Sequence, residues 1–312
     1  MSWDICYEYM WYFFLYAFLG WCCEVCFAAA KSGKFVNRGF LNGPLCPIYG
    51  FGVVLVVGLL TPVKDNVILL FLCSVLLTTA LEWLTGFVLE KLFHQRWWDY
   101  SEEPFNLGGY ICLRFSVAWG LACLFVLKII HPSILWGIQM VPHTLGCILL
   151  GIFVAVMAVD LAATVRTIAR MNRQLSQLDE LAARIKEVSN DLGEHLAVRV
   201  LDAAEAGDDL REDVQKNLDE LKAAAEQRRA ELLESLDEVK DALAQKRFQL
   251  QMDQAQWLEE RERDLDELRA RLEEARSRHI FGQRRLLAAF PRMRSLDHRK
   301  ALERLRRWLG KR

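Results

Sequence analysis

Five strongly apolar stretches, near residues 9–30, 43–61, 66–89, 107–130 and 138–162, fill the first half of this 312-residue chain, and none follows them. A helix needs about 20 residues to cross about 30 Å of hydrocarbon, and each stretch approaches that length. Lipid offers no partner to a free peptide group, so these segments are predicted as helices and not as open strands. The expected fold class is all-α, a polytopic membrane bundle of about five transmembrane helices over 1–162. A cytoplasmic α-helical coiled coil over 163–280 and a basic amphipathic segment over 281–312 are expected to follow. The second apolar stretch is the weakest. It begins with Gly43, Pro44 and Pro47 and carries Gly50, Gly52 and Gly58, which leaves a short, kinked or partly re-entrant helix open there.

Basic residues orient the bundle. The first loop holds Lys31, Lys34 and Arg38, the third Lys91 and Arg96, and Arg166, Arg170 and Arg173 follow the fifth stretch. The opposite side offers Lys64 and Lys128. Such a split of 8 to 2 predicts a multi-pass protein of the cell membrane with its N-terminus outside and its tail in the cytoplasm. The residues before the first stretch include Asp4 and Glu8 and no Lys or Arg, which does not suit a cleaved signal peptide.

The net charge of −1 conceals a polarised tail. Residues 174–275 carry 15 basic and 28 acidic side chains, whereas 276–312 carry 13 and 2. Leu178, Leu181, Ile185, Val188 and Leu192 step by three and four, as do Leu232, Leu236, Val239 and Leu243, and then Leu265, Leu268 and Leu272. Two helices are predicted, about 163–205 and 208–280, with Gly207, Asp208 and Asp209 as a stop and a new cap. They could fold on each other, join a second copy as a homodimer, or remain single solvated helices laced with charge pairs. In the final segment Leu296, Leu302, Leu305, Trp308 and Leu309 can share one face among Arg299, Arg304, Arg306 and Arg307, which predicts a surface helix on anionic lipid or one folded back on the acidic rod. No nucleic-acid-binding motif is recognisable, so no nucleic-acid partner is expected.

All nine cysteines lie in the first half. Cys22, Cys23 and Cys26 read as small apolar residues of a membrane helix. No second Cys or His cluster stands at zinc spacing, and neither a metal nor another cofactor is expected. Glu24, Glu82 and Arg114 are charges inside apolar stretches, costly there unless paired or facing water. Counted from the loops they share one depth, which predicts a polar membrane cluster, either an ion pair that fixes packing or a substrate or ion site, with separately snorkelling side chains as the third reading. The two loops beside it supply Asn37, Arg38, Asn42, His94, Arg96, Trp98, Asp99 and Asn106 as candidate site residues, although Trp at this height also anchors any membrane protein.

The segments FLYAFLGWCCEV, GKFVNRGFLNGPLCPIYGFG, ALEWLTGFVLEKLFHQRWWDYSEEPFNLGGYICL and SVAWG resemble the CmpB-like family of ABC-transporter type IV permeases over about residues 8–162. The resemblance implies a permease-like, transport-associated membrane protein and carries no residue-level mechanism. The sequence holds no GxxxxGK[ST] phosphate loop, so ATP hydrolysis would fall to a separate ATPase, and five spans call for another membrane subunit or a second copy. Two other classes stay open: a membrane scaffold or signalling protein acting through its tail, and a membrane-embedded enzyme on a lipid-linked substrate. The enzyme would use His94, Asp99 or Glu82 as acid or base beside Arg38, Arg96 and Arg114, without a recognisable nucleophile.

Overall fold

All five apolar stretches are helical. The computed structural model describes residues 3–224 and 229–310, with side chains placed over 4–198, 243–249 and 251–310. It divides into two compact units, Met1–Ser176 with His279–Arg312, and Gln177–Arg278.

In the first unit α1 (Trp3–Ser32), α2 (Pro47–Leu60) and α3 (Val67–Phe93) are followed by α4 (Leu113–Phe125), α5 (His131–Gln139) and the start of α6 (His143–Ala224). A π turn, Val126–Ile130, joins α4 to α5. Pro132 would press its ring on the carbonyl four residues back, and the wider π turn at that point lets the apolar helix run on to Gln139. Four helices, Asp4–Ser32, Val67–Phe93, Leu113–Gln139 and His143–Val198, are long and apolar enough to cross a membrane. The second stretch, left open above as short or kinked, is a shorter apolar helix. With its 3₁₀ turn the second stretch forms only Pro47–Val63, about 25 Å of helix, because Gly43, Pro44 and Cys46 are held in the preceding loop. Its glycines serve close packing: a Cβ on Gly50 would lie 2.6 Å from the Phe13 carbonyl oxygen.

α1 is the axis of the bundle. Trp11, Tyr12, Phe13, Phe14, Tyr16 and Ala17 are buried one after another, the mark of a helix surrounded on all sides. One third of its apolar window is buried, against 11% in the other three long helices. Those three turn residues such as Ile68, Leu76 and Val159 outward, as lipid-facing helices do. Phe13 beside Gly50 and Tyr9 beside Gly58 make α2 antiparallel to α1, and Tyr7 stacks on His143 at the start of α6. The chain therefore runs up and down, and the loops 33–46 and 94–112 meet α6 between Asp160 and Asn172 at one end of the bundle.

At that end the C-terminal segment returns. It contains α8 (Gln283–Ala289), β4 (Arg294–Ser295) and α9 (Arg299–Leu309). β4 pairs antiparallel with β1 (Gln95–Arg96), Gln95 opposite Ser295 and Arg96 opposite Arg294, while β2 (Asn106–Leu107) and β3 (Ile111–Cys112) pair within the second loop. Trp97 is buried among Phe40, Phe93 and Phe290. Ala301, Leu302 and Leu305 of α9 are buried, while Leu296 lies outside the helix and is half exposed. Packing within this unit removes the Leu302 and Leu305 side chains from water.

In the second unit α6 and α7 (Arg229–Ser277) lie antiparallel. Asp191 pairs with Arg261 at 3.0 Å, and His195 packs on Trp257 at 4.4 Å. Leu178 and Leu265 are buried, and Leu181, Ile185, Val188, Leu192, Leu268 and Leu272 are half-buried, so the apolar stripes are turned inward. Leu243 is exposed. Leu232, Leu236 and Val239 fall outside the residues whose side chains are described. The break expected at Gly207 is absent, since α6 runs through it to Ala224. A single helical Gly costs only about 1 kcal/mol relative to Ala, which its Ala- and Leu-rich surroundings tolerate.

The inward face of α9 makes a prediction. Leu305→Asp should undock the C-terminal segment and speed proteolysis at Arg292 and Arg299 several-fold in detergent, whereas Leu296→Asp should not. Equal effects from both would mean that the whole apolar set shares one environment.

Candidate functional site

The membrane charges find partners, but not one another. Glu24 on α1 accepts a 2.7 Å hydrogen bond from the Tyr49 hydroxyl on α2, and its other oxygen lies 3.5 Å from Arg38 Nε. Arg38 rests over the Phe27 ring. Glu82 on α3 is buried; its Oε1 accepts from the Tyr100 hydroxyl at 3.3 Å, and its Oε2 has no hydrogen bond. The Trp119 indole approaches Glu82 as a further donor, short of hydrogen-bond geometry, and meets the Tyr49 ring edge-on at 5.6 Å. Arg38, Glu24, Tyr49, Trp119, Glu82 and Tyr100 thus form one continuous polar and aromatic cluster between four helices and two loops.

Arg114 is not part of it. It is exposed, with its guanidinium over the neighbouring Phe115 ring, and among the described residues no ion pair joins it to Glu24 or Glu82. Equal depth was the basis for grouping the three charges. Depth does not determine which face of α4 carries Arg114, and the face turned to α3 holds Ser116 and Gly120 instead. Tyr49 and Trp119 were missed because both read as ordinary aromatic residues of apolar segments; Tyr100 stood in a loop rich in Trp and Tyr.

The candidate loop residues do gather at one end, where most of their polar atoms bond within the fold. Asn37 accepts from Trp21 Nε1 at 2.7 Å and donates to the Asn42 carbonyl, also at 2.7 Å. The Asp160 carboxylate accepts from the Asn42 amide and side chain and from the Gly43 amide. From the other side Arg285 donates to the carbonyls of Gly39 (2.6 Å) and Phe40 (3.1 Å) and to Asn42 Oδ1 (3.1 Å). Burial lowers the affinity of Arg285 for its proton, although a guanidinium remains charged.

In the second loop Arg96 bonds Glu90 at 2.8 Å and lies over the Tyr110 ring. Trp98 donates to the Tyr110 carbonyl. Asn106 bridges Ser101, Glu103 and Gly109, the last beside a tight turn where Gly108 and Gly109 both have positive φ. Burial opposes the charge on Asp99. The Ser101 hydroxyl and amide, Arg294 at 2.8 Å and Arg96 outweigh it and hold the carboxyl below the usual carboxylate range. His94 caps α3 in the left-handed conformation and meets Asp297 at 3.2 Å, well exposed. Burial and the nearby Glu82 push the Tyr100 hydroxyl above its ordinary value, so it donates as a neutral phenol. Among the described residues no three His, Cys, Asp or Glu side chains gather as a metal site.

A family model described as Putative ABC-transporter type IV matches residues 11–165, and this membrane half of the chain belongs to that family. No solved structure matches the chain. The matched segment contains Glu24, Tyr49, Glu82, Tyr100 and Trp119, all the members of the cluster together with Arg38, and ends before the helix pair and the returning C-terminal segment.

Two measurements check the site. In a double-mutant cycle on detergent stability, Arg38→Leu and Glu24→Gln should couple, whereas Arg114→Leu with Glu82→Gln should be additive. Because the Asp99 pKa is depressed by folding, its contribution is present above the ordinary carboxylate range and is lost as pH falls through the folded value. Asp99→Asn should therefore cost on the order of 1–3 kcal/mol at neutral pH and flatten the acid limb of the melting curve.

Proposed function

We propose that this member of the Putative ABC-transporter type IV family is a transport-associated membrane subunit whose polar cluster between the helices receives the transported group or a coupling cation. One observation carries this reading: Glu82 is buried in an apolar helix with one carboxylate oxygen unbonded. A carboxyl group kept at that depth is costly, and a partly satisfied one facing aromatic rings suits a cation or a proton. Glu24, Tyr49 and Tyr100 supply further oxygens, and Arg38 at the loop edge balances the second carboxylate.

In this reading the basic end of the bundle is cytoplasmic and the N-terminus lies outside, as the 8 to 2 split of basic residues argues. Without a phosphate loop in its sequence the chain would rely on a separate ATPase or another membrane subunit. The inward apolar stripes of the helix pair would form a coiled coil, closed within the chain or shared with a second copy.

Inverted vesicles from a producing strain retain such partners and provide the test. With ATP or an imposed potential they should move protons or rubidium ions several-fold faster than vesicles lacking the chain. Glu82→Gln should abolish the difference. Joining Ser176 to His279 by a Gly/Ser linker, in place of 177–278, should preserve it, because Gln174 bonds Gln283 and Thr167 bonds the Phe281 carbonyl, which brings the two ends together. No dependence on Glu82 would overturn the reading, and loss of function only on removing the helix pair would favour the scaffold.

A further inference from the structure

Where the C-terminal segment meets the second loop, a cavity of about 350 Å³ opens outside the polar cluster. Arg292, Arg294, Arg299 and Arg306 contribute to its wall, against Asp99, Glu102 and Glu303. The wall thus holds an excess of one positive charge. Its cations are not equivalent. Arg294 is paired with Asp99 at 2.8 Å and Arg299 with Glu303 at 3.2 Å. Arg306 is fixed by the carbonyls of Phe290, Pro291 and Met293 and bonds no carboxylate there. Arg292 is exposed, and among the described residues no ion pair engages it. Arg306, held in place in this way, offers a guanidinium to phosphate oxygens at little further ordering cost, and Arg292 offers an uncommitted charge beside it.

The position of the cavity selects the source of the phosphate. Tyr100, next to the cavity residue Asp99, reaches Glu82 inside the membrane-spanning part of α3. Asp99 is therefore one residue from a side chain that reaches into the apolar bundle. We propose that this arginine-lined cavity binds the phosphodiester headgroup of an anionic phospholipid. One net positive charge matches the single negative charge of such a headgroup. The bound lipid bridges the loop after α3 to the returning segment and holds the segment against the membrane by its polar side, while its apolar side stays inside the protein.

The test uses the full chain in nanodiscs of phosphatidylcholine alone or mixed with phosphatidylglycerol, with retained lipid read by native mass spectrometry. The wild type should retain phosphatidylglycerol over phosphatidylcholine by about tenfold and melt a few degrees higher in the mixed discs. Arg292→Gln with Arg299→Gln should bring retention to near parity while melting like the wild type in phosphatidylcholine alone. Glu102→Gln removes a negative wall charge and should raise the preference, a gain that misfolding cannot produce. Equal retention of both lipids by the wild type, or a preference unmoved by these variants, overturns the proposal. Inorganic phosphate displacing the retained lipid at equal concentration would assign the cavity to a soluble anion and overturn it too. None of these outcomes depends on whether Glu82 takes part in transport.

Discussion

The main chain between Gly39 and Gly43 is gripped from two sides, and the architecture of the membrane unit follows from that grip. Asp160 collects the amides of Asn42 and Gly43, and Arg285 collects the carbonyls of Gly39 and Phe40. A connection lodged among helices cannot leave its peptide groups unpaired, since each would cost roughly what a lost hydrogen bond does. One acidic side chain on α6 and one basic side chain on α8 meet that requirement with charge-assisted bonds, stronger than neutral ones. The same two residues thereby tie the α1 to α2 connection, the last membrane helix and the C-terminal segment into one body.

The polar cluster uses another economy of partners. Glu24 and Glu82 do not neutralise one another's surroundings through a shared cation; each is approached by a tyrosine hydroxyl, and the aromatic bodies of Tyr49, Trp119 and Tyr100 fill the space between them. Phenols and indoles are suited to this position because one end is apolar and the other can donate a hydrogen bond. The consequence is an incompletely solvated carboxylate at Glu82, within a bundle whose other buried positions are mostly aromatic or aliphatic.

Helix identity was legible because long apolar runs admit no other backbone in lipid, and the inward stripe on α6 was legible from steps of three and four residues. The length of the second helix was less legible, because hydropathy extends back over Gly43 to Cys46 while the backbone there is occupied with loop contacts. Gly207 was given more weight as a helix stop than one glycine carries. At the site, depth could be counted from the loops while the facing of each helix could not, so Arg114 was grouped with residues it does not touch. The contacts of Arg285, Arg294 and Phe290 leave no trace in local periodicity. They join residues about two hundred or more positions apart, and the amphipathic pattern of α9 specifies that one face must be covered without specifying by what.

The return of residues 279–312 to the loops also has a meaning in time. During synthesis the helices up to α6 can enter the membrane long before Arg285 leaves the ribosome, because 109 positions separate Gln174 from Gln283. Throughout that interval the Gly39 and Phe40 carbonyls and the edge of β1 await partners not yet made, and contacts of such long range form slowly even afterwards. The membrane half of this protein is therefore inserted early and completed late, and a chain released before α8 would leave an inserted bundle with its loop end unfinished.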